Sequence, residues 1–123
     1  MEKNIEYKVD KKRGIFYKFY SGDVSFDDLT SSWEAIIMKK IIPSDIKKFI
    51  LDYRGANIMY GPEKSKDIAK FYAMHDKVFG KSKIALVMDK PEQVVFPMLV
   101  ETEGVNFMLH PFFSIEAALE WVL

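Results

Sequence analysis

The sequence predicts an α/β fold in which a mixed, mostly parallel sheet of about five strands packs with four helices. Two segments near the start alternate apolar and polar residues around a polar turn, which indicates a β-hairpin. Two later runs, over 49–53 and 84–88, are apolar with little alternation, as in strands covered on both faces. Helical periodicities separate these runs, and strands that alternate with helices favour parallel pairing.

Length and composition are those of a single domain spanning 1–123. The chain has 123 residues, of which 49% are hydrophobic and 15% aromatic, enough to fill one core. It has no cysteine, which excludes disulfides, thiolate nucleophiles and cysteine metal sites and fits a reducing compartment. No signal-peptide core follows Met1 and no apolar run is long enough to span a membrane, so we expect a cytoplasmic protein.

The first half of the chain is predicted to form a hairpin, a helix and a strand. Strands over 5–9 and 16–20 flank a polar turn that ends at Gly14. Ser25 is suited to cap the following helix, because its side chain can accept a bond from the first turn. The apolar stripe of that helix comprises Phe26, Leu29, Trp33, Ile36 and Ile37. Pro43 ends this unit, and the buried strand over 49–53 follows.

The second half continues the alternation with a helix, a strand, a short helix, a strand and a last helix. We place them at about 61–79, 84–88, 96–102, 107–110 and 114–123. Pro62 suits the first turn of the second helix, and Gly80 is expected to stop it. Pro97 lies in the first turn of the short helix, and Ser114 caps the last one.

Three passages, together with the order of elements, resemble a known family. They are the strand and loop over 49–56, the run over 82–87, and the closing aromatic, cap and helix over 112–122. The chain is similar to the STAS domain, the fold of bacterial anti-sigma-factor antagonists. It resembles more closely the small bacterial STAS-like proteins grouped with those antagonists and with CRAL-TRIO lipid-transfer domains. The resemblance implies a regulatory module whose partner is another protein.

The sequence departs from the family where those antagonists carry an Asp-Ser-Ser-Gly-like motif with a phosphorylated serine. The corresponding stretch, 57–63, contains no serine, and Ser65 is expected one turn into the helix. We therefore expect a non-catalytic protein-interaction module of STAS type without the usual phosphorylatable serine motif. The segment from Arg54 to Glu63 takes the place of the family's switch, so we expect it to be the contact surface.

Polar side chains follow both buried strands. They are Asp52, Arg54 and Asn57 after the first and Asp89 and Lys90 after the second. Ligands of open parallel sheets bind beyond the carboxyl ends of the strands, so these residues are candidates to line one crevice. The alternative interpretation is that they are turn residues and surface ion pairs.

Apolar side chains lie beside the same strand ends. Tyr53, Met59, Tyr60 and Phe96 are candidates to wall a pocket for an apolar or lipid-like anionic small molecule. Arg54 and Lys90, the two cations that follow the strands, would hold the head group of that molecule. The alternative is ordinary core filling. A small-molecule binder is thus the second functional hypothesis.

Other classes of function have little support in the sequence. It contains no Gly-x-Ser-x-Gly elbow, no Gly-x-Gly-x-x-Gly and no P-loop, and its two histidines, His75 and His110, lie far apart. We therefore expect no catalytic residue, no cofactor and no metal, and an enzyme is the least favoured hypothesis.

Charge and aromatic content bear on possible partners. Eighteen basic and eighteen acidic residues give a formal net charge of zero, whereas nucleic-acid binders usually carry a basic excess. We therefore expect no nucleic-acid partner. Zero net charge also lowers the barrier to self-association, and Phe112, Phe113 and Trp121 supply apolar area for a homodimer.

Overall fold

A computed structural model describes residues 2–123, and over that range the chain forms one five-stranded sheet in the order β1-β2-β3-β4-β5. The strands are β1 (Asn4–Asp10), β2 (Ile15–Val24), β3 (Lys48–Ile58), β4 (Lys83–Val87) and β5 (Met108–Phe112). β1 pairs with β2 in an antiparallel sense, and every other pairing is parallel. The mixed, mostly parallel sheet predicted from the sequence is confirmed.

The helices are α1 (Phe26–Met38), α2 (Ser65–Met74), α3 (Asp76–Phe79), α4 (Val95–Glu101) and α5 (Ile115–Val122). Four helices were expected, and residues 2–123 contain five because the helix predicted over 61–79 is divided. The division falls at His75, whose φ of −110° and ψ of 42° are not helical. It directly precedes α3, whose last residue, Phe79, has its ring fully buried against Trp33 and Phe49.

The caps predicted from the sequence are present. The Ser25 side chain accepts from the backbone of Asp28, and the Asp28 side chain accepts from the backbone of Ser25, forming a capping box at α1. Ser114 accepts from the backbone nitrogen of Ala117 at the start of α5. In the hairpin turn, Gly14 has a φ of +70°, a conformation that glycine adopts without steric cost.

The sheet has a core on each face. One face is covered by α1, α2, α3 and α4, and its core includes Phe16, Phe49, Leu51 and Leu86. The other face is covered by α5, and its core includes Ile15, Ile50, Ala85, Val87 and Val122. Successive residues of β3 and β4 therefore point into different cores, which explains why their sequences are apolar without alternation.

β3 is longer than the sequence predicted, running to Ile58 instead of Tyr53. The additional residues pair with the end of β2, from Ser21↔Gly55 to Val24↔Ile58, beyond an irregularity between Phe19 and Ser21. The first half of the segment expected as a contact loop, up to Ile58, therefore belongs to β3. Ser65 also differs from expectation, because a 3-10 turn over Pro62–Lys64 makes it the first residue of α2.

β5 forms one edge of the sheet. The Met108 nitrogen donates to the Ser82 carbonyl, and the Phe112 carbonyl accepts from the Met88 nitrogen, so these two residues direct their backbone groups toward β4. The backbone groups of successive residues in a strand point in opposite directions, so those of Pro111, one residue before Phe112, face the open side of β5. No helix within residues 2–123 is both long and apolar enough to cross a bilayer.

Candidate functional site

The nine residues singled out in the sequence do not form one crevice. Asp52 and Arg54 lie on the α5 face of the sheet, since they alternate with residues of the opposite core. Tyr53, Tyr60 and Phe96 line a cavity on the other face. Asn57 and Lys90 line a groove at the carboxyl end of β3, which Tyr60 and Phe96 also border. The remaining two, Met59 and Asp89, are exposed and line neither space.

Arg54 is engaged by Asp52 through a two-pronged ion pair. Its Nε lies 3.0 Å from Oδ1 and its Nη2 lies 2.8 Å from Oδ2 of that carboxylate. These hydrogen bonds raise the pKa of the Arg54 guanidinium, and the nearby carboxylates of Glu116 and Asp89 act in the same sense. One edge of the Arg54 guanidinium is therefore occupied by Asp52, and the side chain lies on the opposite face of the sheet from the apolar cavity. Arg54 is thus not placed to hold a head group over an apolar floor.

The cavity is small and apolar, with a volume of about 30 Å³. Its walls come from the sheet and from α1, α2 and α4, and they include Tyr53, Tyr72, Leu86 and Leu109. This volume is about what one water molecule needs, but apolar cavities of this kind stay dry. The cavity is therefore a dry apolar space, and it lies directly beneath α4.

The groove is larger, at about 310 Å³, and its mouth is polar. Lys90 Nζ and Gln93 Nε2 both donate to the Ala56 carbonyl, at 3.0 and 3.3 Å. Asn57 Nδ2 donates to Asp23 Oδ1 at 3.1 Å. Gln93 is buried, and its Oε1 accepts from the backbone nitrogens of Asp89 and Lys90. The loop after β4 is therefore folded around Gln93, which fixes the position of Lys90.

α4 is apolar on both of its sides. Pro97 and Val100 are buried beneath it, whereas Val95, Met98 and Leu99 face solvent at helical spacing. The Met98 side chain is 58% exposed. A helix that is apolar all round is normally covered on every side, so the outer face of α4 is an unusual surface for a free protein.

Ser65 occupies the start of α2 but is not presented to solvent. It is only 5% exposed, and its hydroxyl donates to the Pro62 carbonyl at 2.7 Å. A kinase would have to break this bond and open the turn before reaching the oxygen.

Sequence reasoning missed Lys18, which is 0% exposed on the face beneath α1. Its Nζ donates to Ser32 Oγ at 2.7 Å and lies 3.9 Å from the centroid of the Trp33 ring. None of the ion pairs within residues 2–123 involves it. Burial lowers the pKa of the Lys18 ammonium well below its usual value, because the charged form loses its water.

Several buried tyrosines surround that lysine and the cavity. The rings of Tyr20 and Tyr53 are stacked with centroids 4.3 Å apart, and Tyr72 lies edge-on to Trp33. Burial is the main cause that raises the pKa of the Tyr20, Tyr53 and Tyr72 hydroxyls. Within residues 2–123 the Tyr20 hydroxyl has no hydrogen-bond partner.

A separate aromatic cluster lies at the β5 edge. The rings of His110, Phe112 and Trp121 are within 5.0–5.8 Å of one another, and Phe113 beside them is 61% exposed. Within residues 2–123, no group of three or more histidine or carboxylate side chains is arranged to hold a metal ion.

Comparisons with known proteins establish the fold class. No family model matches the chain, and no curated protein matches it in sequence. A DUF3478-family protein of Shewanella loihica PV-4 with a SpoIIAA-like fold is 14% identical, with a TM-score of 0.66 over 98% of this chain and 94% of that one. An anti-sigma factor antagonist from Mycobacterium paratuberculosis is 15% identical, with a TM-score of 0.63 over the same shares. The chain therefore has the SpoIIAA-like fold of STAS domains, as the sequence resemblance predicted.

Proposed function

We propose that this protein is a non-catalytic, cytoplasmic interaction module that binds another protein through α4. The observation that carries the proposal is the exposed apolar stripe of Val95, Met98 and Leu99, which we call the α4 stripe. The other side of the same helix packs on the core, so a partner could cover the stripe without unfolding the domain. Burying an apolar stripe of this kind favours association by about 25 cal/mol per Å² before association costs are subtracted.

Two further observations support a regulatory partner that is not controlled by phosphate on Ser65. One structural neighbour is an anti-sigma factor antagonist, and its fold covers nearly the whole chain. The serine at the head of α2 is buried and hydrogen-bonded in this chain. We infer that binding is governed by the availability of the partner or of a ligand.

Replacing Met98 with aspartate is expected to abolish partner capture while leaving the fold intact. The side chain is exposed, so the change in unfolding free energy should stay within about 0.5 kcal/mol. A buried carboxylate at the interface would lack a partner and would cost several kcal/mol of affinity. The measurement is affinity capture from extracts of the source cells, followed by binding of the purified partner.

Met38→Asp is the matched control, because Met38 is 81% exposed at the end of α1, away from the α4 stripe. A protein that wild type and the Met38 variant retain and the Met98 variant loses would support the proposal. Equal retention by all three chains would show that α4 is not the docking surface.

We also propose that two copies associate through the aromatic cluster at the β5 edge. Light scattering at high micromolar concentration is expected to show dimer, because Phe113 is largely exposed next to half-buried Phe112 and Trp121. Phe113→Ser should return the chain to monomer, since it removes the apolar area that the contact would bury. A wild-type chain that stays monomeric would contradict this proposal.

A further inference from the structure

The groove and the cavity are separated by a thin wall of side chains. Ile58, Tyr60 and Phe96 border both spaces. The rings of Tyr60 and Phe96 meet edge-on with centroids 5.3 Å apart, and both are half-buried. Neither ring is fixed by a hydrogen bond within residues 2–123, so rotation of the two side chains would join the spaces. The joined volume falls at the lower end of the range typical of small-molecule pockets, about 300–1,000 Å³.

The joined space is polar at one end and apolar at the other. At the mouth, Lys90 Nζ, Gln93 Nε2 and Asn57 Nδ2 are all donors. The Lys90 ammonium uses one N–H on the Ala56 carbonyl and lies 3.7 Å from Asp89 Oδ1, which leaves donor capacity for a ligand. The inner end is walled by apolar side chains such as Leu86 and Leu109, so an apolar tail placed there would contact no charged group.

The charged side chains at the mouth of the groove limit the charge of the head group that the site can bind. Glu92 lines the groove together with Lys90, so the formal charges of the lining side chains cancel. A monoanion that contacts Lys90 is accommodated, whereas a dianion would be repelled by the Glu92 carboxylate. Gln93 contributes a buried amide that holds the Lys90 loop in place before any ligand arrives.

We infer that this space is a binding site for a small monocarboxylate with an apolar tail, such as a medium-chain fatty acid or an arylalkanoic acid. The carboxylate lies on Lys90 at the mouth, and the tail passes between Tyr60 and Phe96 into the cavity. The site is distinct from the α4 stripe proposed for protein docking, although Val95 borders both.

The test uses octanoate and 1-octanol as probes, which differ in the head group but share the length of the tail. Titration followed by amide NMR should show saturable octanoate binding, with shifts at Ile58, Tyr60 and Phe96. Lys90→Met should raise the Kd for octanoate about tenfold or more, because a hydrogen bond to a charged group is lost. The Kd for octanol should be the same in wild type and in this variant.

Arg54→Met is the matched control, since it removes a cation on the opposite face of the sheet and should leave the octanoate Kd within about twofold. If Lys90→Met does not fold, Lys90→Gln retains an N–H donor on a shorter side chain and removes the charge. Absence of saturable binding at millimolar octanoate would overturn the inference. Shifts confined to α5, or equal weakening by both cation variants, would overturn it as well. Met98→Asp should not change the octanoate Kd, which separates this site from partner docking.

Discussion

Replacing Lys18 with methionine is expected to raise the free energy of unfolding at pH 7 by about 1–4 kcal/mol, the range seen when buried ion pairs are replaced by well-packed apolar side chains. Lys18 lies fully buried, and within residues 2–123 its nitrogen contacts the Ser32 hydroxyl and the faces of the Trp33 and Tyr20 rings. Charging it inside the fold costs desolvation that no carboxylate offsets. Methionine has a similar length, adapts to irregular space and carries no charge.

The pH dependence of stability should change with the same substitution. The pKa of Lys18 is lowered in the folded protein, whereas the unfolded chain has an ordinary lysine near 10.4. Between these two pKa values the unfolded chain binds more protons, so wild-type stability should rise as pH increases from the folded-state pKa of Lys18 toward about 10. In the methionine variant this rise should disappear.

Urea unfolding at several pH values measures both effects, and Lys12→Met in the exposed hairpin turn is the control. That control should differ from wild type by less than about 0.5 kcal/mol at every pH. A Lys18→Met variant less stable than wild type would show that the contacts to Ser32 and Trp33 outweigh the cost of desolvation.

Above pH 10 the protein is expected to lose stability steeply and unfold. Tyr20, Tyr53 and Tyr72 have folded-state pKa values raised by burial, whereas tyrosine in the unfolded chain ionises near 10. Their contribution is fully present below pH 10 and is lost as pH rises toward the folded-state values. Each tyrosine should remove about 1.4 kcal/mol per pH unit, so a typical stability of about 5–15 kcal/mol falls within a few units.

Phenolate absorbance and circular dichroism, followed together during an alkaline titration, test this expectation. The buried tyrosines should ionise in the same step in which the helical signal is lost. Tyr72→Phe should reduce the slope of stability with pH by about 1.4 kcal/mol per unit, and Tyr7→Phe, at an exposed position of β1, should not change it. Ionisation of all tyrosines before unfolding would contradict the prediction.

Local chemistry accounts for the parts of the fold that the sequence predicted. The Ser25 and Ser114 caps and the runs over 49–53 and 84–88 are each specified by a few adjacent residues. The extension of β3 is different, because Gly55 and Ala56 have low strand propensity and are strand residues only through pairing with β2. The helix break at His75 likewise depends on tertiary packing, and no helix-breaking residue near it in the sequence indicates it.

The candidate site was harder to predict because it depends on which face each side chain takes. Tyr53 and Arg54 are neighbours in sequence, but in an extended strand they point to opposite faces. The loop predicted after Tyr53 does not impose this separation, whereas the observed strand does. The position of Lys18 could have been predicted, because alternate residues of a strand point to the same face. Lys18 lies between Phe16 and Tyr20 in that alternation, and both of those rings are buried. The exposed side of α4 leaves none, because its sequence is that of a fully buried helix.

Pro111 limits how copies of this protein can assemble. A proline on the open side of β5 offers no N–H to an incoming strand, so an added strand would lack one backbone hydrogen bond at that point. Joining two sheets end to end through this edge is therefore disfavoured, including in the dimer proposed to form through the aromatic cluster beside it. In the dimer proposed above, contact at this edge would be confined to side chains, which favours a closed pair and hinders the open-ended stacking of strands that leads to fibrils.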